Sequence, residues 1–71
     1  MTLGFRLKDL RMAAGLTLAE LSKRCDVSPQ HLSDLERDRR TPSLDVLDRI
    51  SRAFEMKVVH VLDGVVPYGA D

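Results

Sequence analysis

Three helix-start signals follow one another at Thr17, Ser28 and Ser43, a spacing that leaves room only for helices of two or three turns. Thr17 followed three residues later by Glu20 forms a capping box: the Thr oxygen accepts from an early amide, and the Glu side chain reaches back to the Thr amide. Ser28 is an N-cap with Pro29 at the first helical position, where the missing N–H costs nothing. Ser43 follows Pro42, and proline disfavours helix for the residue before it. The signals predict helices over 17–25 and 28–37, the second ending near Asp38, and a further helix from Ser43 onward.

The apolar residues fall in step with these signals. Leu3, Leu7, Leu10 and Ala14 lie on one helical face, with Gly15 as the flexible residue past its end. Leu18, Leu21 and Ser22 point inward from the second helix, and Leu32 and Leu35 from the third. Leu44, Leu47, Ile50 and Phe54 do so from the fourth. The valines between Met56 and Val66 suit a strand as well as a helix. No second strand-like segment offers pairing, so residues 57–63 read as a fifth short helix ended by Gly64, with an extended tail or linker over 65–71. The expected fold is all-α, a compact bundle of about five short helices over residues 1–64.

A chain of 71 residues holds one domain. Its residues are 44% hydrophobic but only 4% aromatic, so Leu, Val and Ala must build the core. Eleven basic residues balance eleven acidic ones, and the pI of about 6.7 names no partner by bulk charge. The single cysteine, Cys25, forms no internal disulfide and has no metal-ligand spacing, so it reads as a buried, inert small hydrophobe in a reducing, cytoplasmic setting. Arg6, Lys8 and Asp9 interrupt any signal-peptide run, and no stretch approaches a membrane span. Without a phosphate-cradling Gly loop, a metal cluster or a nucleophile elbow, an enzyme is not expected, nor is any metal or cofactor.

Two short helices joined by a turn of about three residues have the geometry of a helix-turn-helix over 17–37, whose second helix fits the major groove of DNA. Gln30, His31, Ser33 and Asp34 face away from the Leu32 and Leu35 stripe, and Arg37 extends that face by a turn. They are the candidates for reading bases. Gln30 suits a bidentate contact with adenine, and Asp34 either accepts from a base amino group or orients Arg37 at i+3. His31 is either a DNA contact or a surface residue. Phosphate contacts are expected at Thr17, where the second helix opens, at the basic turn Arg39, Arg40 and Thr41, and at the hydroxyls of Ser28 and Ser43. The alternative for the RDRR run is a solvated turn. Residues 1–40 hold eight basic and six acidic side chains, a small basic excess on the proposed DNA side.

The stretch TLAELSKRCDVSPQHLSDLE, with LKDLR and GLT before it and ERDRRTPSL after it, resembles the DNA-binding domain of the Cro/phage-repressor (Xre) family over about residues 3–63. The resemblance implies a lambda-repressor-like fold and a sequence-specific transcriptional regulator of bacterial or phage origin, most often a repressor on operator DNA in the nucleoid. Arg11 and Glu36 match an Arg and a Glu that pair across the first and third helices in several members. Leu18 stands where a phosphate-contacting Gln often opens the second helix, while Asp26 and Asp38 stand at positions commonly glycine. SDLERDRRTPSL and HVLDGVVPYG further resemble the N-terminal domain of DNA-damage-response repressors from radiation-resistant bacteria, which carry a C-terminal dimerisation domain absent from this stretch.

Double-stranded DNA is therefore the expected partner. A homodimer, at least on DNA, is expected because one such module makes too few contacts for tight specific binding. His60, Phe5, Met12 and the valines after Gly64 are available for a subunit interface, or Val65 and Val66 pack back on the first helix. The competing reading is an antitoxin or protein-interaction adaptor on the same fold, consistent with the zero net charge, Leu18 and Asp34.

Overall fold

Four of the five described helices begin where a side-chain oxygen satisfies an otherwise unpaired amide. In the computed structural model, which describes residues 1–66, Thr2 Oγ1 accepts from Phe5 N at 3.1 Å and opens α1 (Leu3–Ala13). Gly15, at φ 72°, turns the chain out of that helix. Thr17 Oγ1 accepts from Glu20 N at 3.1 Å and Thr17 N donates to Glu20 Oε1 at 2.8 Å, completing the capping box of α2 (Leu18–Cys25). Accepting that backbone bond holds the Glu20 carboxyl below the usual glutamate range. Ser28 caps α3 (Pro29–Glu36) through His31 N, and Ser43 caps α4 (Leu44–Ala53) through Val46 N, both at 3.1 Å. Lys57 opens α5 (Val58–Val61) with no side-chain bond. The third helix is shorter than its expected span because Ser28 and Arg37 are caps outside the helical turns. The fifth shrinks from 57–63 to a single turn.

The buried core is aliphatic: Leu3 and Leu7 from α1, Leu21 and Cys25 from α2, Leu32 and Leu35 from α3, Leu47 and Ile50 from α4, and Val61 from α5, joined by Val27 and Val46. Helix α1 packs on α3, and α2 packs on both α3 and α4. Burial pushes the Cys25 thiol pKa up, as for a small hydrophobe. The face expected for α4 needs correction, because Leu44 is 77% exposed. The buried residues Val46, Leu47, Ile50 and Ser51 define an arc centred between Leu47 and Ile50, and at 3.6 residues per turn Leu44 falls roughly a quarter turn from that centre, just past the arc's edge. Ser51 is carried into the core instead, where its hydroxyl donates to Leu47 O at 2.8 Å. Ala14, expected on the buried stripe of α1, is its exposed C-cap.

Both aspartates at glycine-like positions are left-handed: Asp26 at φ 56° ends α2, and Asp38 at φ 59° follows α3. Asp38 also ties α3 to the start of α1. Its Oδ1 accepts from Gly4 N at 2.9 Å and its Oδ2 from Thr2 Oγ1 at 2.7 Å. Gly4 makes this approach possible, since a Cβ there would lie 2.6 Å from the carbonyl oxygens of Leu35 and Glu36. From the same opening turns of α1, Arg6 Nε donates to Val61 O at 3.0 Å and Nη2 to His60 O at 2.8 Å, fastening α5 to α1. Of the tail over 65–71, Val65 packs against the core and Val66 N donates to Met1 O at 2.8 Å; the remainder lies outside the described residues.

Candidate nucleic-acid interface

Burial of Leu32 and Leu35 fixes the rotation of α3. That rotation leaves Gln30 and Arg37 exposed and His31, Ser33 and Asp34 half-buried along its flank. Gln30 Nε2 donates to Asp34 Oδ1 at 3.1 Å, an i,i+4 bond on the exposed face. Among the described contacts Asp34 thus engages Gln30 and not Arg37. The i+4 spacing points back one full turn, whereas Arg37 is the non-helical C-cap, where its backbone leaves the helical path.

The proposed phosphate-binding hydroxyls are those of the N-caps. Thr17, Ser28 and Ser43 each accept from a backbone amide, and a hydroxyl that accepts in this way still has its own O–H to donate outward. Arg39, Arg40 and Thr41 are all exposed in the turn between α3 and α4. That turn is fastened to the end of α3, because Asp38 N donates to Leu35 O at 3.1 Å and Arg39 N to Asp34 O at 2.9 Å. The candidates therefore sit on three helix N-termini, one helix flank and one short turn, all on α3 or its neighbours.

A two-pronged ion pair supports α3 from behind. Arg11 Nε donates to Glu36 Oε2 at 2.7 Å and Nη2 to Glu36 Oε1 at 3.1 Å, while Nη1 donates to Leu16 O at 2.8 Å. The pairing raises the Arg11 pKa, chiefly through the hydrogen bonds it donates to Glu36. One guanidinium thereby joins α1, the approach to α2 and the last residue of α3. Beside it lies a 160 Å³ pocket lined by Lys8, Leu18, Ser33 and Arg37 together with the ion pair. Lys8 was not among the sequence candidates, although it borders the same depression as Ser33 and Arg37. The available signal was its position one turn before Arg11 on a helix expected to face α3.

A family model described as helix-turn-helix matches residues 7–60, and the chain belongs to that family. Among curated relatives it is 39% identical over 64 residues to the HTH-type transcriptional regulator DdrOP3 of Deinococcus deserti, covering 90% of this chain and 50% of that protein. It is 38% identical over 58 residues to the immunity repressor protein of Bacillus phage phi105, covering 82% of this chain and 40% of the repressor. The chain thus spans about half the length of the curated relatives it matches. Among solved structures, the crystal structure of SinR, the master regulator for biofilm formation, in complex with DNA superposes with a TM-score of 0.81. The match is 32% identical and covers 87% of this chain and 100% of that one. The all-α fold and the helix-turn-helix are those expected from the sequence.

Proposed function

We propose that this chain is the sequence-specific DNA-binding part of a transcriptional regulator, acting as a repressor that occupies operator DNA with α3 in the major groove. The observation that carries this reading is the mounting of α3: its inward face is fixed by Leu32 and Leu35, its last residue is held by Arg11, and Gln30, Arg37 and the Arg39–Arg40 turn remain exposed. An α-helix so presented reaches base edges from its first turns while neighbouring N-termini meet phosphates. The family and the names of its relatives support the same reading, and it asks for no catalytic group, metal or cofactor.

Net charge zero predicts weak non-specific binding. Two copies on a pseudo-palindromic site, with their α3 helices about 34 Å apart, supply the remaining affinity. No described helix is long and apolar enough to cross a membrane, and the proposed site of action is the bacterial cytoplasm.

The test is retardation of duplex DNA drawn from a randomised pool, measured across salt. Retardation with a steep salt slope is expected, and Arg39→Ala or Arg40→Ala should each reduce the slope by about 0.9. Absence of retardation at low salt, or slopes untouched by both substitutions, would overturn the proposal. A second reading, a protein-interaction adaptor, is favoured by Phe5 and Met12, which are 61% and 62% exposed on the outer face of α1. A stable heteromeric complex together with absent retardation would select it.

A further inference from the structure

We infer that Asp34 does not read a base itself but sets what Gln30 reads, restricting that side chain to adenine and excluding guanine. The inference rests on the DNA-binding reading above and deepens it. A glutamine amide carries two N–H donors and one carbonyl acceptor, whereas a carboxylate only accepts. The bond from Gln30 Nε2 to Asp34 Oδ1 therefore fixes which way the amide is turned: the nitrogen faces Asp34, and Oε1 faces away.

Counting what remains decides the specificity. With one N–H committed to Asp34, Gln30 presents one donor and one acceptor to the groove. Adenine offers N7 as acceptor and its N6 amino group as donor, which is the matching pair. Guanine offers two acceptors, N7 and O6, and needs two donors. A free glutamine has both; Gln30 bonded to Asp34 has one. Serving guanine would break the bond to Asp34 and leave Oε1 unmatched.

The charge of Asp34 argues the same way. A carboxylate on the face that approaches phosphates weakens binding to every duplex, so it contributes nothing to affinity. Its contribution is the orientation of Gln30. Asp34 is thus a positioning residue, and the choice of base is its readout.

The experiment is selection from a randomised duplex pool by the parent, Gln30→Ala, Asp34→Ala, Asp34→Asn and the Gln30→Ala/Asp34→Ala double variant, with folding checked by circular dichroism. The parent is expected to favour adenine over guanine at one position by about tenfold or more. Asp34→Ala should bring the two bases close to parity at that same position while tightening binding to all sequences. Asp34→Asn, whose Oδ1 still accepts from Nε2, should keep the adenine preference and share the general tightening. The double variant should show no preference beyond that of Gln30→Ala. The inference is overturned if Asp34→Ala keeps the preference, moves it to a different base pair, or behaves as Asp34→Asn does. If the parent retards no duplex, the proposed function fails first and this inference falls with it; if the parent binds and only the adenine preference fails to respond, the function stands and the role of Asp34 does not.

Discussion

Arg11 and Glu36 meet through two hydrogen bonds at 2.7 and 3.1 Å, with only 13% and 7% of their side chains exposed. Such a pair has given up most of its water, so removing one partner leaves the other charged and buried. Glu36→Ala is expected to destabilise the protein by about 3 kcal/mol. The double replacement Arg11→Met/Glu36→Leu should cost less than the sum of the single losses, because it strands no charge. Urea denaturation of the parent, Arg11→Met, Glu36→Leu and the double variant checks this, and strict additivity would show that the two groups are uncoupled.

Gly4→Ala sets helix propensity against sterics. Alanine gains about 1 kcal/mol over glycine inside a helix. Here its methyl would meet two carbonyl oxygens at 2.6 Å and the Asp38 carboxylate at 2.7 Å, so α1 must move off α3. Overpacking of this kind costs about 1–3 kcal/mol and opposes atoms of the backbone, which have least room to give. The steric effect should prevail, and a melting temperature above that of the parent would contradict the close helix approach.

Asp26 and Asp38 share a left-handed backbone yet should answer oppositely to glycine. Asp26 has an exposed side chain whose ion pair with Arg49 spans 3.9 Å, so Asp26→Gly should relieve strain and stabilise by about 0.5–1 kcal/mol. Asp38→Gly relieves the same strain but loses the bonds to Thr2 and Gly4 and leaves α1 without its tertiary cap. A net loss of about 1–2 kcal/mol is expected from the two bonds. Thermal melts of both variants decide it; equal signs would show that Asp38 acts only through its φ.

Acid should weaken the start of α2. The Glu20 pKa is lowered on folding, chiefly by the bond from Thr17 N, so its stabilisation is complete above the unfolded value and is lost as pH falls through the folded one. Glu20→Gln keeps a side-chain acceptor for that bond without titrating. The melting temperature of the parent should fall more steeply than that of Glu20→Gln once pH drops below the ordinary glutamate range. Parallel curves would remove Glu20 from the acid response.

What was legible in the sequence was local. Thr17, Ser28 and Ser43 each lie within three residues of the amide they cap, and Leu32 and Leu35 define a face through spacing alone. Even the ion pair of Arg11 with Glu36, twenty-five residues apart, was visible only through family resemblance. The bond from Asp38 to Gly4 was not visible, because its partners lie on separate elements and no periodicity marks them. Leu44 misled because an i,i+3 match to Leu47 does not say where the edge of the buried arc falls. For the candidate site, the residue types on α3 were evident, but the partner of Asp34 depended on the helix ending at Glu36 with Arg37 already outside it.

The grip of Arg6 on the last carbonyls of α5 bears on how the molecule comes apart. A four-residue helix has almost no stability of its own, since the cost of nucleating it is barely recovered in so short a run. With its carbonyls at His60 and Val61 held by α1 and Val61 fully buried, α5 has no independent opening that leaves α1 in place. The amides of these two distant segments should therefore exchange with solvent as one cooperative unit, linking both ends of the described chain in a single unfolding step.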